Sequence, residues 1–195
     1  LQGFVANKVY VEELMMVDLF IKGGFLMYPI ALCSILGVTI FIYKFMEYRR
    51  IIKNIEKPLM DVLNEKPQIL VPILSAIENG ASEKQLSVIG TKCISKIEKG
   101  LSWLGLISTI APLLGLTGTV TGMIKAFMVI ANSTSVNPSM LAGGIWEALI
   151  TTAAGLFVAV PIHIGHHYLE KQADEIAFIL KEITVAVFEG QKNGI

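Results

Sequence analysis

The chain has 195 residues, of which 53% are hydrophobic and 16% charged, against roughly 25% charged in an ordinary soluble domain. Its 16 Lys and Arg balance 16 Asp and Glu, so no basic surface for nucleic acid is implied. The mean hydropathy is +0.63, and the 65 residues Leu101–Gly165 hold only two charges, Lys125 and Glu147, a stretch that no soluble surface could use. An all-α integral membrane protein with three transmembrane helices is therefore expected.

Residues 1–15 differ in character from the rest of the chain, and Met15-Met16 would suit a natural start, so they read as a tail of native or appended origin. Residues 16–43 hold an outer amphipathic segment and a first transmembrane helix, whose uncharged run Phe25–Tyr43 matches the roughly 20 residues a span requires. No basic segment closely precedes it and no small-residue cleavage pattern comes after it, which argues against a secretory signal. Lys44, Arg49, Arg50, Lys53 and Lys57 come next, and Lys92, Lys96 and Lys99 precede the second apolar stretch. The positive-inside rule then places residues 44–100 in the cytoplasm.

That region reads as helix throughout. The first helix should continue to Pro58, because proline disfavours helix in the residue before it. Pro67 and Pro72 punctuate the chain, Asn79-Gly80 signals a turn, and Ser82 with Gln85 fits a capping box that starts a new helix. From there Leu86, Ile89, Cys93, Ile97 and Leu101 form one stripe at three- and four-residue steps, expected to run unbroken into the second span despite Gly90 and Gly100.

Leu101–Gly165 is too long for one span and is divided by the turn chemistry of Ala131–Ser139. The expected order is a second transmembrane helix at 101–130, a short outer loop at 131–142 and a third transmembrane helix at 143–165. The uncharged loop lies outside with the N-terminus, and the tail 166–195 lies in the cytoplasm. In the tail, Leu169, Ala173, Ile176, Leu180, Ile183 and Val187 alternate four- and three-residue steps, so the third helix should extend well past the membrane. Its stripe would pack on the 86–101 helix or on a neighbouring subunit. Cys33 and Cys93 lie in different compartments, so no disulfide framework is implied.

Both later spans carry small-residue faces. Ala111, Gly115, Gly118 or Thr119, Gly122 and Ala126 step along one, and Gly144, Ala148, Thr152, Gly155 and Ala159 along the other. Small residues let membrane helices approach closely. The packing set is Gly115, Gly118, Gly122, Ala148, Gly155 and Ala159, and two such faces in a three-span chain point to an oligomer. Threonines are frequent here: Thr109, Thr117, Thr119 and Thr121 in span two, Thr151 and Thr152 in span three. Each can bond back to its own helix. Around a symmetric ring they could instead form a polar collar for water or an ion, with Thr119 and Thr152 best placed on the small faces.

Glu147 is the only acid of the membrane region, and a buried carboxylate there is costly unless partnered. Lys125 is its only counterpart. Each stands eleven residues from Val136, so a helical hairpin would bring them to similar depth, as a structural salt bridge or as part of an ion path. Thr151, four residues on from Glu147, lies nearer its face than Thr152 does. His163, His166 and His167 have no further ligand at metal spacing, and no nucleophile–base motif, phosphate loop or dinucleotide fingerprint appears. No metal, cofactor or enzyme activity is expected.

Residues 111–127 and 143–161 resemble the two membrane signatures of the ExbB/TolQ/MotA family, and the likeness extends over about residues 16–190 with the same three-span order. The resemblance implies an inner-membrane homo-pentamer around a dimer of a single-span ExbD- or TolR-like partner, working through a TonB- or TolA-like protein. A proton, or alternatively sodium, would pass where the ring meets that partner. By motif position Thr119 and Thr152 would be pore threonines, and Glu147 the acid near the outer end. Three spans argue against a flagellar stator, while the choice between ExbB-like and TolQ-like stays open. Lys125, Gly143, Trp146 and Gly165-His166-His167-Tyr168 depart from the usual pattern. The class-different alternative is a passive membrane scaffold.

Overall fold

Why three stretches of this chain become long helices is explained by their setting: in hydrocarbon every backbone N–H and C=O must be paired within the segment. The computed structural model describes residues 20–133 and 138–192. The tail 1–15, residues 16–19, Val136 at the loop centre and residues 193–195 lie outside the described residues. The elements are α1 (Met27–Ile55), α2 (Leu59–Glu65), α3 (Val71–Glu78), α4 (Glu83–Glu98), α5 (Leu101–Ala131) and α6 (Pro138–Lys192), with no strand among the described residues. Three of them, α1, α5 and α6, are long and apolar enough to cross a membrane. At 1.5 Å per residue about 20 residues suffice for a crossing, so the 55-residue α6 is far longer than its span requires.

α1 ends at Ile55, short of the expected Pro58, and two further boundaries differ from expectation. The stripe from Leu86 to Leu101 is continuous, but the helix is not: α4 ends at Glu98, and Gly100 adopts φ +107°. A residue without Cβ turns the backbone there while Ile97 and Leu101, at 4% and 5% exposure, both stay buried. At the other boundary, α6 opens at Pro138, inside the stretch expected as outer loop. Proline is favoured as a first helical residue, where its missing N–H has no intrahelical partner to lose.

The chain divides into two compact units. The first comprises the described residues of Leu1–Val38 with Gly105–His163, the second Thr39–Leu104 with the described residues of Ile164–Ile195. In the second unit the predicted signals hold. Gln85 Oε1 accepts from Ser82 N at 2.8 Å, opening α4. Asn79-Gly80 closes α3, with Gly80 at φ +74° and its N–H donating to Ile77 O at 2.9 Å. The tail stripe Leu169, Ala173, Ile176, Leu180 and Ile183 is buried by the chain itself, which favours intramolecular packing over a neighbouring subunit for that face.

Just past the first apolar run, Lys44 and Tyr48 are both buried and share one acceptor. Lys44 Nζ donates to Ile97 O at 2.9 Å and Tyr48 Oη to the same oxygen at 2.8 Å, satisfying a carbonyl that the end of α4 leaves unpaired. Lys44 also pairs with Glu47 at 2.7 Å. Burial pushes the Tyr48 hydroxyl well above its usual titration range, and the charges of Glu47 and Glu98 add to the effect. A cavity of about 700 Å³ in this unit, lined by residues including Arg50, Asn54, Cys93 and Lys96, contains none of the candidate residues.

Candidate functional site

The first unit is organised by a seam between α5 and α6, built from the two small faces. A Cβ at Gly155 would lie 2.6 Å from Ala111 O, one at Gly122 2.7 Å from Gly144 O, and one at Gly144 2.7 Å from Gly122 O. At Gly115 it would lie 2.9 Å from Thr151 O, and at Gly118 it would collide with the Thr151 hydroxyl. Ala111, Ala126, Ala148 and Ala159 are buried along the same seam. The backbones therefore meet wherever glycines permit it, as small-residue packing in membranes requires. Both faces are used against each other within one chain, so by themselves they do not argue for an oligomer. Gly37 joins the third helix to this pair: a Cβ there would collide with Ile162 and lie 3.5 Å from Ile107.

The threonines separate by role. Thr152 Oγ1 donates across the seam to Gly115 O at 2.9 Å, tying α6 to α5. Thr151 is 1% exposed and bonds within α6, to Ala148 O at 2.9 Å and Glu147 O at 3.1 Å. Thr119 Oγ1 donates to Leu116 O at 2.6 Å, while Gly118, not Thr119, holds the buried seam position. Thr109, Thr117 and Thr121 likewise bond back to α5 carbonyls. With its proton committed to a carbonyl, each hydroxyl presents lone pairs only. A group of that kind accepts from water or hydronium and coordinates a cation.

Lys125 and Glu147 meet as the hairpin spacing predicts, Nζ to Oε1 at 2.5 Å, with the lysine side chain 57% exposed and the glutamate 21%. What the sequence did not reveal is a third member. Gly24, at φ +69°, lies beside the Glu147 carboxylate, so closely that a Cβ there would collide with Oε1. Beside it, a Cβ at Gly23 would lie 3.2 Å from Ile150 Cγ2, one turn along α6 from Glu147. The pair Gly23-Gly24 directly before an apolar run was the available signal, though glycine pairs mark many ordinary turns. Glu147 O accepts from Thr151, so the carboxylate and the buried hydroxyl belong to one turn of α6. His163 is exposed, and His166 and His167 approach Glu170 at 3.8 and 3.6 Å.

The description that matches residues 54–182 is that of the MotA/TolQ/ExbB proton channel family. An ExbB-like biopolymer transport protein of Synechocystis is 30% identical over 169 residues, 74% of this chain and 66% of that protein. The biopolymer transport protein exbB1 of Vibrio cholerae is 48% identical over 80 residues, 40% of this chain and 35% of its own length. The Tol-Pal system protein TolQ of Haemophilus influenzae is 36% identical over 83 residues, 43% of this chain and 36% of its own length. The matched parts span less than two thirds of each relative. The chain belongs to the MotA/TolQ/ExbB family and is a multi-pass membrane protein.

Proposed function

We propose that this family member is the ring subunit of an ion-driven motor in the bacterial inner membrane, with its N-terminus periplasmic and its C-terminus cytoplasmic. Five copies would surround two copies of an ExbD- or TolR-like single-span protein. A proton, with sodium as the alternative, would move along Thr119, Thr151, Thr152 and Glu147 and be handed to that partner. The resulting rearrangement would drive a TonB- or TolA-like protein at the outer membrane.

The observation that carries this reading is Glu147: the one acid in the 65-residue stretch Leu101–Gly165, at the end of a seam whose threonine hydroxyls present acceptors only. A carboxylate so placed can bind and release a cation where the bilayer otherwise offers nothing. The test is ion flux in proteoliposomes containing the chain co-purified with its partner. Glu147→Gln and Thr119→Val should each remove flux while leaving the complex assembled by native mass; full flux in both refutes the reading.

One observation favours the scaffold alternative: the Lys125–Glu147 pair is closed, and the threonine hydroxyls of the second and third spans are satisfied by backbone carbonyls. The two readings part on a charge exchange. In a scaffold, Lys125→Glu combined with Glu147→Lys restores whatever either single change loses. In a motor it restores stability but not flux, because the carboxylate now stands on the wrong helix.

A further inference from the structure

Glu147 Oε1 is held from two sides that are remote in sequence. Lys125 Nζ reaches it from α5 at 2.5 Å. From the other side comes the turn ahead of α1, in which Gly24 N donates to Ile21 O at 3.3 Å and Gly24 O accepts from Met27 N at 3.2 Å. Gly24 sits at the apex of that turn with φ +69°, and a Cβ there would strike Oε1, lie 2.9 Å from Cδ and lie 3.5 Å from Cγ. Two independent features thus require glycine at one position: a left-handed backbone and the absence of any atom where the carboxylate stands.

We propose that Gly24 is a positioning residue for Glu147, the turn before the first span closing over the carboxylate and fixing it toward Lys125. This rests on the reading of Glu147 as part of the ion path. The Glu147 side chain is 21% exposed and that of Lys125 57%, so the glutamate is the covered member of the pair. A carboxylate that must take up and release an ion gains from a fixed position, since a misplacement of about 1 Å in a reacting group can cost up to about a hundredfold in rate. Any side chain at 24 either lifts the turn or pushes Oε1 off Lys125.

The test is a double-substitution cycle on the complex purified with its single-span partner, read by ion flux across pH and by thermal unfolding midpoint. Gly24→Ala should lower flux by at least about tenfold and shift its pH profile. Glu147→Asp shortens the side chain by one methylene and withdraws the carboxylate. In that background the same Gly24→Ala change should cost less than about twofold, leaving only the backbone strain of a left-handed alanine. Gly24→Asn guards against a misfolded alanine variant: asparagine tolerates the left-handed region but keeps the colliding Cβ, so it should lose flux with the fold intact. Equal losses with Glu147 and with the Glu147→Asp change, or a Gly24→Asn protein as active as the parent, overturn the proposal. If the unsubstituted complex carries no ion, the motor reading falls, and non-additivity of the unfolding midpoints then decides for or against the Gly24–Glu147 contact alone.

Discussion

Replacing Gly155 by Ala adds one methyl group to α6 at a point where its Cβ would sit 2.6 Å from Ala111 O and 3.1 Å from Gly115 Cα. Both are backbone atoms of α5, so no rotamer change relieves the contact. The helices must separate by about 0.8 Å to bring the shorter distance to 3.4 Å, where ordinary van der Waals contact begins. That opening would stretch the Thr152–Gly115 bond from 2.9 Å to about 3.7 Å, beyond hydrogen-bond range. Overpacking of this kind costs about 1–3 kcal/mol, and a lost interhelical hydrogen bond in a bilayer adds about 0.6 kcal/mol. The gain in helix propensity on removing glycine, up to about 1 kcal/mol, works the other way. Gly143→Ala on the same helix receives the propensity gain without the clash, since nothing lies within 4 Å of a Cβ there. The propensity gain being common to both, the two variants should differ by about 1.6–3.6 kcal/mol, the first less stable than the parent. Reversible unfolding in mixed micelles, followed by circular dichroism, measures the difference. Equal midpoints for Gly155→Ala and Gly143→Ala would refute the claim that α5 and α6 meet backbone to backbone.

Three further outcomes are expected. Gly100→Ala should destabilise by about 1–3 kcal/mol, because φ is +107° and the Cβ would lie 3.2 Å from Lys44 Cε; Gly90→Ala, with open space around it, should be neutral or slightly stabilising in the same melt. Tyr48 is held protonated in the folded chain, so its contribution is fully present below the ordinary tyrosine pKa of about 10 and is lost as pH rises beyond it. Unfolding midpoints between about pH 8 and 11.5 should show that loss in the parent and a shallower slope in Tyr48→Phe. Cys93 is 6% exposed and its thiol is pushed up by burial, only partly offset by Lys96 and Lys92. Maleimide at neutral pH should label it at least about tenfold more slowly than a cysteine introduced at the exposed Val88, and equal rates would contradict the packing of α4.

The spans, the Asn79-Gly80 turn, the Ser82–Gln85 cap and both apolar stripes were legible because each is a local pattern with a physical period. Gly100 marks the limit of such patterns. Its stripe was read correctly, yet apolar spacing records which face is buried and not whether the backbone continues as helix between buried positions. The small faces carried a similar gap: sequence shows that a face is small, but which surface it meets depends on the fold, and here α5 and α6 meet each other. Expecting an oligomer from those faces therefore loses its footing, since each is already used against the other within one chain. The threonines were placed on the right helices, but Thr152 bonds across the seam and Thr151 within its own turn, a distinction of about one residue that spacing cannot make.

Glu147 stands out in the sequence for a different reason, and that reason also explains why Gly24 does not. A lone carboxylate in an apolar stretch is conspicuous through the energy of burying it, an argument that needs no geometry. Its cation, Lys125, was identifiable by the same scarcity, there being no other in Leu101–Gly165. Gly24 bears no charge and lies 123 positions before Glu147, so neither period nor scarcity connects the two. Only a backbone at φ +69° against Oε1 does. In a chain of this composition, polar members of a site announce themselves by cost, while the members that shape the space around them are small, uncharged and visible only once the helices are packed.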